Sequence, residues 1–221
     1  MSNPVSNLSS INAVVFDMDG VLVDTSPCHE KAYDRLWSKL GLRGPKYEQL
    51  AGRSTKEVIK QVCGHFTPSE RHKWVTYKQN EALKLLRSAD IIFPDTVSTL
   101  KTLHGAGFKL ALATSASRPS ASLVLERLGA AEWFDIVITA DDVEKAKPDP
   151  EIFIRAIQTL GLEPSKTLII EDSRAGIESG LACGAKVINV RHRANFIEHG
   201  NFYGFHENLN EVTQLLPGGV S

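Results

Sequence analysis

Short apolar runs alternate along this chain with longer stretches of helical spacing. Residues 11–16, interrupted only by Asn12, read as a buried strand, and so do 110–113, 136–139, 168–170 and 186–190. Helical stretches follow at 97–103, 120–128, 151–160 and 175–182. Gly129, Gly161 and Gly184 stand where those helices should stop, because glycine takes the left-handed backbone of a helix end at little cost. Strand alternating with helix predicts an α/β fold with a Rossmann-like, doubly wound parallel sheet.

The segment from Pro27 to Ile92 breaks this rhythm and offers no strand pattern. Ser26 and Pro27 read as the N-cap and first residue of a helix running to about Leu40. Ser54-Thr55-Lys56-Glu57 is a capping box, and Thr67-Pro68-Ser69-Glu70 is a second that opens a long helix toward Arg87. The chain is therefore expected to divide into an α/β catalytic core, residues 1–25 and 93–221, and a small inserted helical cap, residues 26–92. A cap at this point stands over the end of the first strand, where open parallel sheets bind ligands. Such lids exclude water and select substrate, although a bland insertion is the alternative.

The end of that strand carries the first candidate chemistry, Asp17-Met18-Asp19-Gly20. Side chains two residues apart on an extended chain start on the same side. Two carboxylates so placed can hold a hard cation, or one can attack while the other moves a proton. Alone, the motif reads as well as a polar turn. A calcium loop is excluded, because Gly20 comes too early and no Glu follows at the required distance. Three further strand ends supply polar groups: Thr114-Ser115-Ala116-Ser117, Lys147-Pro148-Asp149-Pro150 and Glu171-Asp172-Ser173. Singly these read equally as a helix start, a surface charge and a helix cap. Their order on successive strands argues for one site.

Composition narrows the partners. The chain has 221 residues, 42% hydrophobic and 23% charged, which suits a globular protein with a sizeable core. A formal net charge of -1 points to neither nucleic acid nor an anionic membrane. No apolar run approaches a membrane span. Cys28, Cys63 and Cys183 form no zinc or CxxC pattern and read as thiols in a reducing compartment. The first ten residues hold no apolar signal core, so a cytoplasmic location is expected. Residues 1–9 and 217–221 are expected to be loose, and a monomer is expected because no apolar stripe is left over.

The four motifs resemble those of the haloacid dehalogenase-like hydrolase superfamily over essentially the whole chain. Lys147-Pro148-Asp149-Pro150 and Glu171-Asp172-Ser173-Arg174-Ala175-Gly176-Ile177 resemble its β-phosphoglucomutase-like subgroup of small phosphatases and phosphomutases. The resemblance implies that Asp17 is the nucleophile, taking a phosphoryl group as an aspartyl phosphate, and that Asp19 protonates the leaving oxygen and then helps water attack. Thr114 would donate to a phosphoryl oxygen, Lys147 would neutralise charge, and the amides near Met18, Asp19 and Ser115 would cradle the remaining oxygens. An anionic nucleophile approaching an anionic phosphate is opposed by about 4 kcal/mol at 4 Å and an effective dielectric near 20. Mg²⁺ removes much of that, with Asp17, the backbone carbonyl of Asp19, Asp172 and, directly or through water, Glu171 as implied ligands. An acid at position 19 favours phosphate esters over the halides and phosphonates of other branches.

Substrate choice falls to the cap. Its implied specificity loop is Ala51-Gly52-Arg53-Ser54-Thr55, with Arg53 and Ser54 as candidate contacts. The sugar-phosphate mutase has a Lys just before this glycine and an Arg three residues after it, where this chain has Ala51 and Thr55. Their loss argues against holding a bisphosphate, unless Arg53 compensates. His29 matches the mutase's hinge histidine and pulls the other way, whereas Thr25 matches its hinge threonine but reads equally as a local backbone hydrogen-bonder before the helix. Ser117 and Arg118 fall where the mutase contacts phosphate, although Arg118 reads as well as a solvent-facing charge. Arg191-His192-Arg193 is given no substrate contact, and Trp37, Trp74 and Trp133 are read as packing residues. The expected function is a Mg²⁺-dependent phosphatase for a small phosphorylated metabolite, such as a sugar phosphate. A mutase is the alternative, and a non-catalytic binding protein on the same fold is a third reading.

Overall fold

The computed structural model describes residues 8–50, 52–191 and 199–217. The expectations placed on Ala51, His192, Arg193 and the outermost terminal residues lie outside the described residues. Six parallel strands form one sheet: β1 (Ala13–Phe16), β2 (Lys109–Thr114), β3 (Ile136–Thr139), β4 (Thr167–Glu171), β5 (Lys186–Val190) and β6 (Phe202–His206), in the order β3-β2-β1-β4-β5-β6. The order turns about β1, and Phe16 lies level with Leu112 on one side and Ile170 on the other. The carboxyl ends of three central strands thus meet at a topological switch point, the place where such sheets bind ligands.

Alternate residues face opposite sides of the sheet. Val14, Phe16, Leu110, Leu112, Leu168 and Ile170 pack on one side, with helices α4 (Thr96–Gly105), α5 (Arg118–Leu128) and α8 (Leu209–Leu215). Val15, Ala111, Ala113, Ile169 and Val187 pack on the other, with α6 (Glu151–Leu160) and α7 (Arg174–Ala182). Each fully buried Leu, Ile or Phe contributes about 1.5–3 kcal/mol of transfer free energy. This two-sided burial is why the central strands read as continuous apolar runs.

Three helices, α1 (Ser26–Leu40), α2 (Thr55–Val62) and α3 (Pro68–Leu86), are inserted between β1 and α4 around their own apolar cluster of Leu36, Trp37, Val58, Ile59 and Val75. Both capping boxes form, with the Ser54 and Thr67 hydroxyls accepting from the amides of Glu57 and Glu70. The outgoing and returning chains run side by side, where the Asp24 amide donates to the Ile91 carbonyl at 2.7 Å and Val23 pairs with Ile92.

Several expectations need correction. Ser26 is already helical and Thr25 is the N-cap, with its hydroxyl turned to Asp19 instead of to the helix. Leu8 is 1% exposed in the core rather than loose. The strand β6 and helix α8 were not anticipated: β6 is half-buried throughout and does not alternate, and α8 is short. Among the described residues, no helix is long and apolar enough to cross a membrane.

Candidate active site

Asp17 follows β1 directly, and its amide donates to the Ile170 carbonyl at 3.0 Å, so it stays level with the end of β4. The chain then turns tightly, with the amides of Val21, Leu22 and Val23 converging on the Met18 carbonyl. Gly20 makes this turn at φ +83°, and a Cβ there would stand 2.0 Å from Asp172 Oδ2. Only glycine meets both demands.

Lys147 is the centre of the buried charge. Its Nζ donates to Asp17 Oδ1 at 2.6 Å, to Glu171 Oε1 at 2.6 Å and to the Ala113 carbonyl at 3.1 Å, and it lies 4.7 Å from the Phe153 ring centroid. All three ammonium protons are thereby used. The other Glu171 oxygen accepts from the amides of Asp172 and Ser173 and from the Ser173 hydroxyl, at 3.0–3.1 Å. This carboxylate occupies the space a side chain at Gly176 would need: a Cβ there would stand 1.9 Å from it.

One ammonium faces three acids. Burial lowers the affinity of Lys147 for its proton, but Asp17 and Glu171 outweigh that and hold it charged. Burial pushes Asp17 up to about 8 against the pull of Lys147, and burial with Glu171 and Asp17 beside it raises Asp172 well above the usual carboxylate range. The excess of acid has the form of a cation site. Asp17, Glu171 and Asp172 each offer an oxygen within 4.8 Å of the others. An all-oxygen, mostly anionic donor set suits Mg²⁺.

Asp19 sits beyond this group. Burial raises its affinity for a proton, opposed by the Thr25 hydroxyl, which donates to Oδ1, and by Lys78. Two residues of the insertion come down on it. His29 Nε2 is 3.9 Å from Asp19 Oδ1, and His29 Nδ1 is 2.7 Å from Lys78 Nζ. Burial and Lys78 push His29 well below its ordinary range, and burial brings Lys78 down to about 7 despite the pull of Asp19. An ammonium can only donate, so with Lys78 charged His29 Nδ1 accepts and the ring proton is on Nε2, facing Asp19.

These groups line a cavity of about 100 Å³ between the sheet end and the helices. Asp17, Asp19, Lys147, Glu171 and Asp172 lie on its floor and His29, Arg53 and Lys78 on its roof, with Ser115 and Ser117 also at its wall. Thr114 is wholly buried, and its hydroxyl accepts from the Ala116 amide at 3.0 Å, which fixes the loop carrying Ser115. Three expected contacts are not brought to the cavity wall: Thr114, which lies buried beneath the Ser115 loop, Arg118 and Ser54. The guanidinium of Arg118 pairs with Asp142 and the Val137 carbonyl, because the acidic turn after β3 lies closer than the site. Ser54 spends its hydroxyl capping α2 and faces a neighbouring hollow. The sequence reading overlooked Lys78, Tyr33 and Tyr47, all of which line the cavity. Tyr33 stacks on Trp37 at 5.6 Å, and Lys78 lies 4.2 Å from the Tyr33 ring centroid. Lys78 carried a legible signal, since it shares a helical face with buried Val75 and Ala82.

The profile of haloacid dehalogenase-like hydrolases matches residues 11–184. The chain belongs to this family. It is 29% identical over 217 residues to a phosphorylated carbohydrates phosphatase of Thermotoga maritima, covering 95% of this chain and 92% of that protein. It is 32% identical over 179 residues to hexitol phosphatase A of Escherichia coli, covering 80% and 81%. Its structure is similar to the crystal structure of a β-phosphoglucomutase from Clostridium difficile, with a TM-score of 0.81, 26% identity and coverage of 91% and 93%. This haloacid dehalogenase-like hydrolase is therefore an enzyme whose relatives include both phosphatases and a phosphomutase.

Proposed function

We propose that this enzyme is a Mg²⁺-dependent phosphatase that hydrolyses a small sugar phosphate through an aspartyl phosphate on Asp17. The observation that carries the reading is the pairing of a lysine-held carboxylate, Asp17, with a second carboxylate, Asp19, in one cavity closed by cationic groups. The proposed division is a core of 1–25 and 93–221 with a cap of 26–92, and Asp24 and Ile91 mark the crossing. The protein is proposed to act as a monomer in the cytoplasm.

The Lys147 bond fixes the Asp17 carboxylate for in-line attack on phosphorus. As the bond from Asp17 oxygen to phosphorus forms, the ester bond breaks and Asp19 gives its proton to the departing sugar oxygen. Burial favours the protonated acid that this step needs. Asp19 then takes a proton from water as the water attacks phosphorus, which frees Asp17 and releases phosphate. The Ser115 loop, which the Thr114 hydroxyl fixes through the Ala116 amide, holds phosphoryl oxygens. Asp17, Asp172, Glu171 and the Asp19 carbonyl would hold Mg²⁺, with Glu171 the most engaged elsewhere. When bound, Mg²⁺ supplies positive charge against the phosphoryl oxygens.

A mutase is the second reading, favoured by the His29–Lys78 pair over Asp19. Thr55 at the cavity wall speaks for the phosphatase, since it brings no cation to that position to hold a second phosphate. Turnover with Mg²⁺ on a panel of sugar phosphates, including β-glucose 1-phosphate, tests the choice by following free phosphate and glucose 6-phosphate together. Phosphate without isomer supports the phosphatase. Isomer stimulated by a bisphosphate, with little phosphate released, overturns it.

A further inference from the structure

Arg191 follows β5 and has φ +65°, a left-handed backbone that a residue with a Cβ adopts at a cost. It is the one described non-glycine residue with positive φ. Its side chain is 11% exposed and makes two hydrogen bonds. Nε donates to the Val21 carbonyl at 3.0 Å, and Nη2 donates to Asp95 Oδ1 at 2.8 Å. The guanidinium carbon lies 3.7 Å from the centroid of the Phe93 ring. Asp95 Oδ2 in turn accepts from the Leu209 amide at 2.6 Å, so the acid that Arg191 grips is itself fixed to α8.

These partners belong to two different stretches. Val21 lies in the turn that carries Asp19, whereas Phe93 and Asp95 lie where the chain returns from the three-helix insertion. A second tie has the same sense: Thr96 Oγ1 donates to the Leu22 carbonyl at 2.7 Å. Arg191 lines no part of the cavity. We infer that Arg191 is a positioning residue: it clamps the Asp19 turn to the returning chain and so sets where Asp19 stands when the leaving oxygen needs its proton. The planar fork of arginine suits this task, because one side chain reaches a carbonyl and a carboxylate while stacking on a ring. The inference rests on the reading of Asp19 as the acid.

The test compares kcat/KM for a sugar phosphate, whose leaving oxygen needs a proton, with that for acetyl phosphate, whose leaving carboxylate does not. This ratio reports steps up to the first phosphoryl transfer. Arg191→Gly removes the bonds to Val21 and Asp95 and relieves the backbone, and Arg191→Lys keeps the charge without the fork. The expected result for both variants is a loss of at least about tenfold on the sugar phosphate and less than about threefold on acetyl phosphate. Equal loss on both substrates, or no loss on either, overturns the inference. Asp19→Asn is the control. If it shows no such selectivity, the reading of Asp19 as the acid fails. If it shows the selectivity and the Arg191 variants do not, the positioning role alone fails.

Discussion

Lys78 Nζ lies 2.7 Å from His29 Nδ1, so two helices of the insertion meet directly above Asp19. The pair joins α1 to α3 and puts a buried cation on the roof of a cavity whose floor is acidic. A lysine there costs desolvation, which is why burial brings it down to about 7. Its place on the cavity roof beside His29 makes Lys78 a candidate for contact with substrate.

Lys78→Met removes that charge and keeps most of the volume. The lost desolvation cost offsets the lost contacts, so stability should change by no more than about 1 kcal/mol. The kcat/KM for a sugar phosphate should fall at least about tenfold. Urea unfolding beside steady-state kinetics checks both. A large loss of stability with unchanged turnover would make Lys78 a structural residue.

Gly176→Ala places a Cβ 1.9 Å from the Glu171 carboxylate. Glu171 must then move, and its bonds to Lys147 and Ser173 loosen. The expected cost is about 1–3 kcal/mol of stability, with at least a tenfold loss of turnover. Thermal unfolding and kinetics measure these, and wild-type values for both would contradict the packing described.

Exhaustive chelation should abolish turnover, and Mg²⁺ should restore it. Binding to the folded chain alone also raises stability, by about 2.7 kcal/mol at a free concentration of 100 times Kd. Asp172→Asn should lose most of this gain, because it removes one of three clustered carboxylates. Thermal unfolding with and without Mg²⁺ reads the effect. Full turnover after chelation would contradict a metal role.

Much of the core was legible because burial on both faces writes itself into the strands. Residues 136–139 and 186–190 were bounded correctly, and residues 151–160 form α6 as expected. The capping boxes at Ser54 and Thr67 were legible because capping is local. What failed was decided by distant partners. The position of Arg118 depends on Asp142 in another loop, and the turn of Thr25 away from its helix depends on Asp19. The strand β6 carries Gly204 at φ +90° and pairs irregularly, so no period marks it. Lys78 sits in a helix of mostly polar residues, but its spacing from Val75 and Ala82 places it on the buried face.

The central claim is that Asp17 carries the phosphoryl group. Acid quenching during turnover of a sugar phosphate, followed by mass analysis of the peptide containing Asp17, tests it most directly. Asp19→Asn with acetyl phosphate, whose leaving group needs no proton, serves as a second sample in which hydrolysis of the intermediate is slowed and its formation is not. The account predicts a phosphoryl group on Asp17 and, in Asp17→Asn, turnover reduced at least about 10³-fold with substrate binding retained. Wild-type turnover by Asp17→Asn, or a phosphoryl group on any other residue, would contradict it.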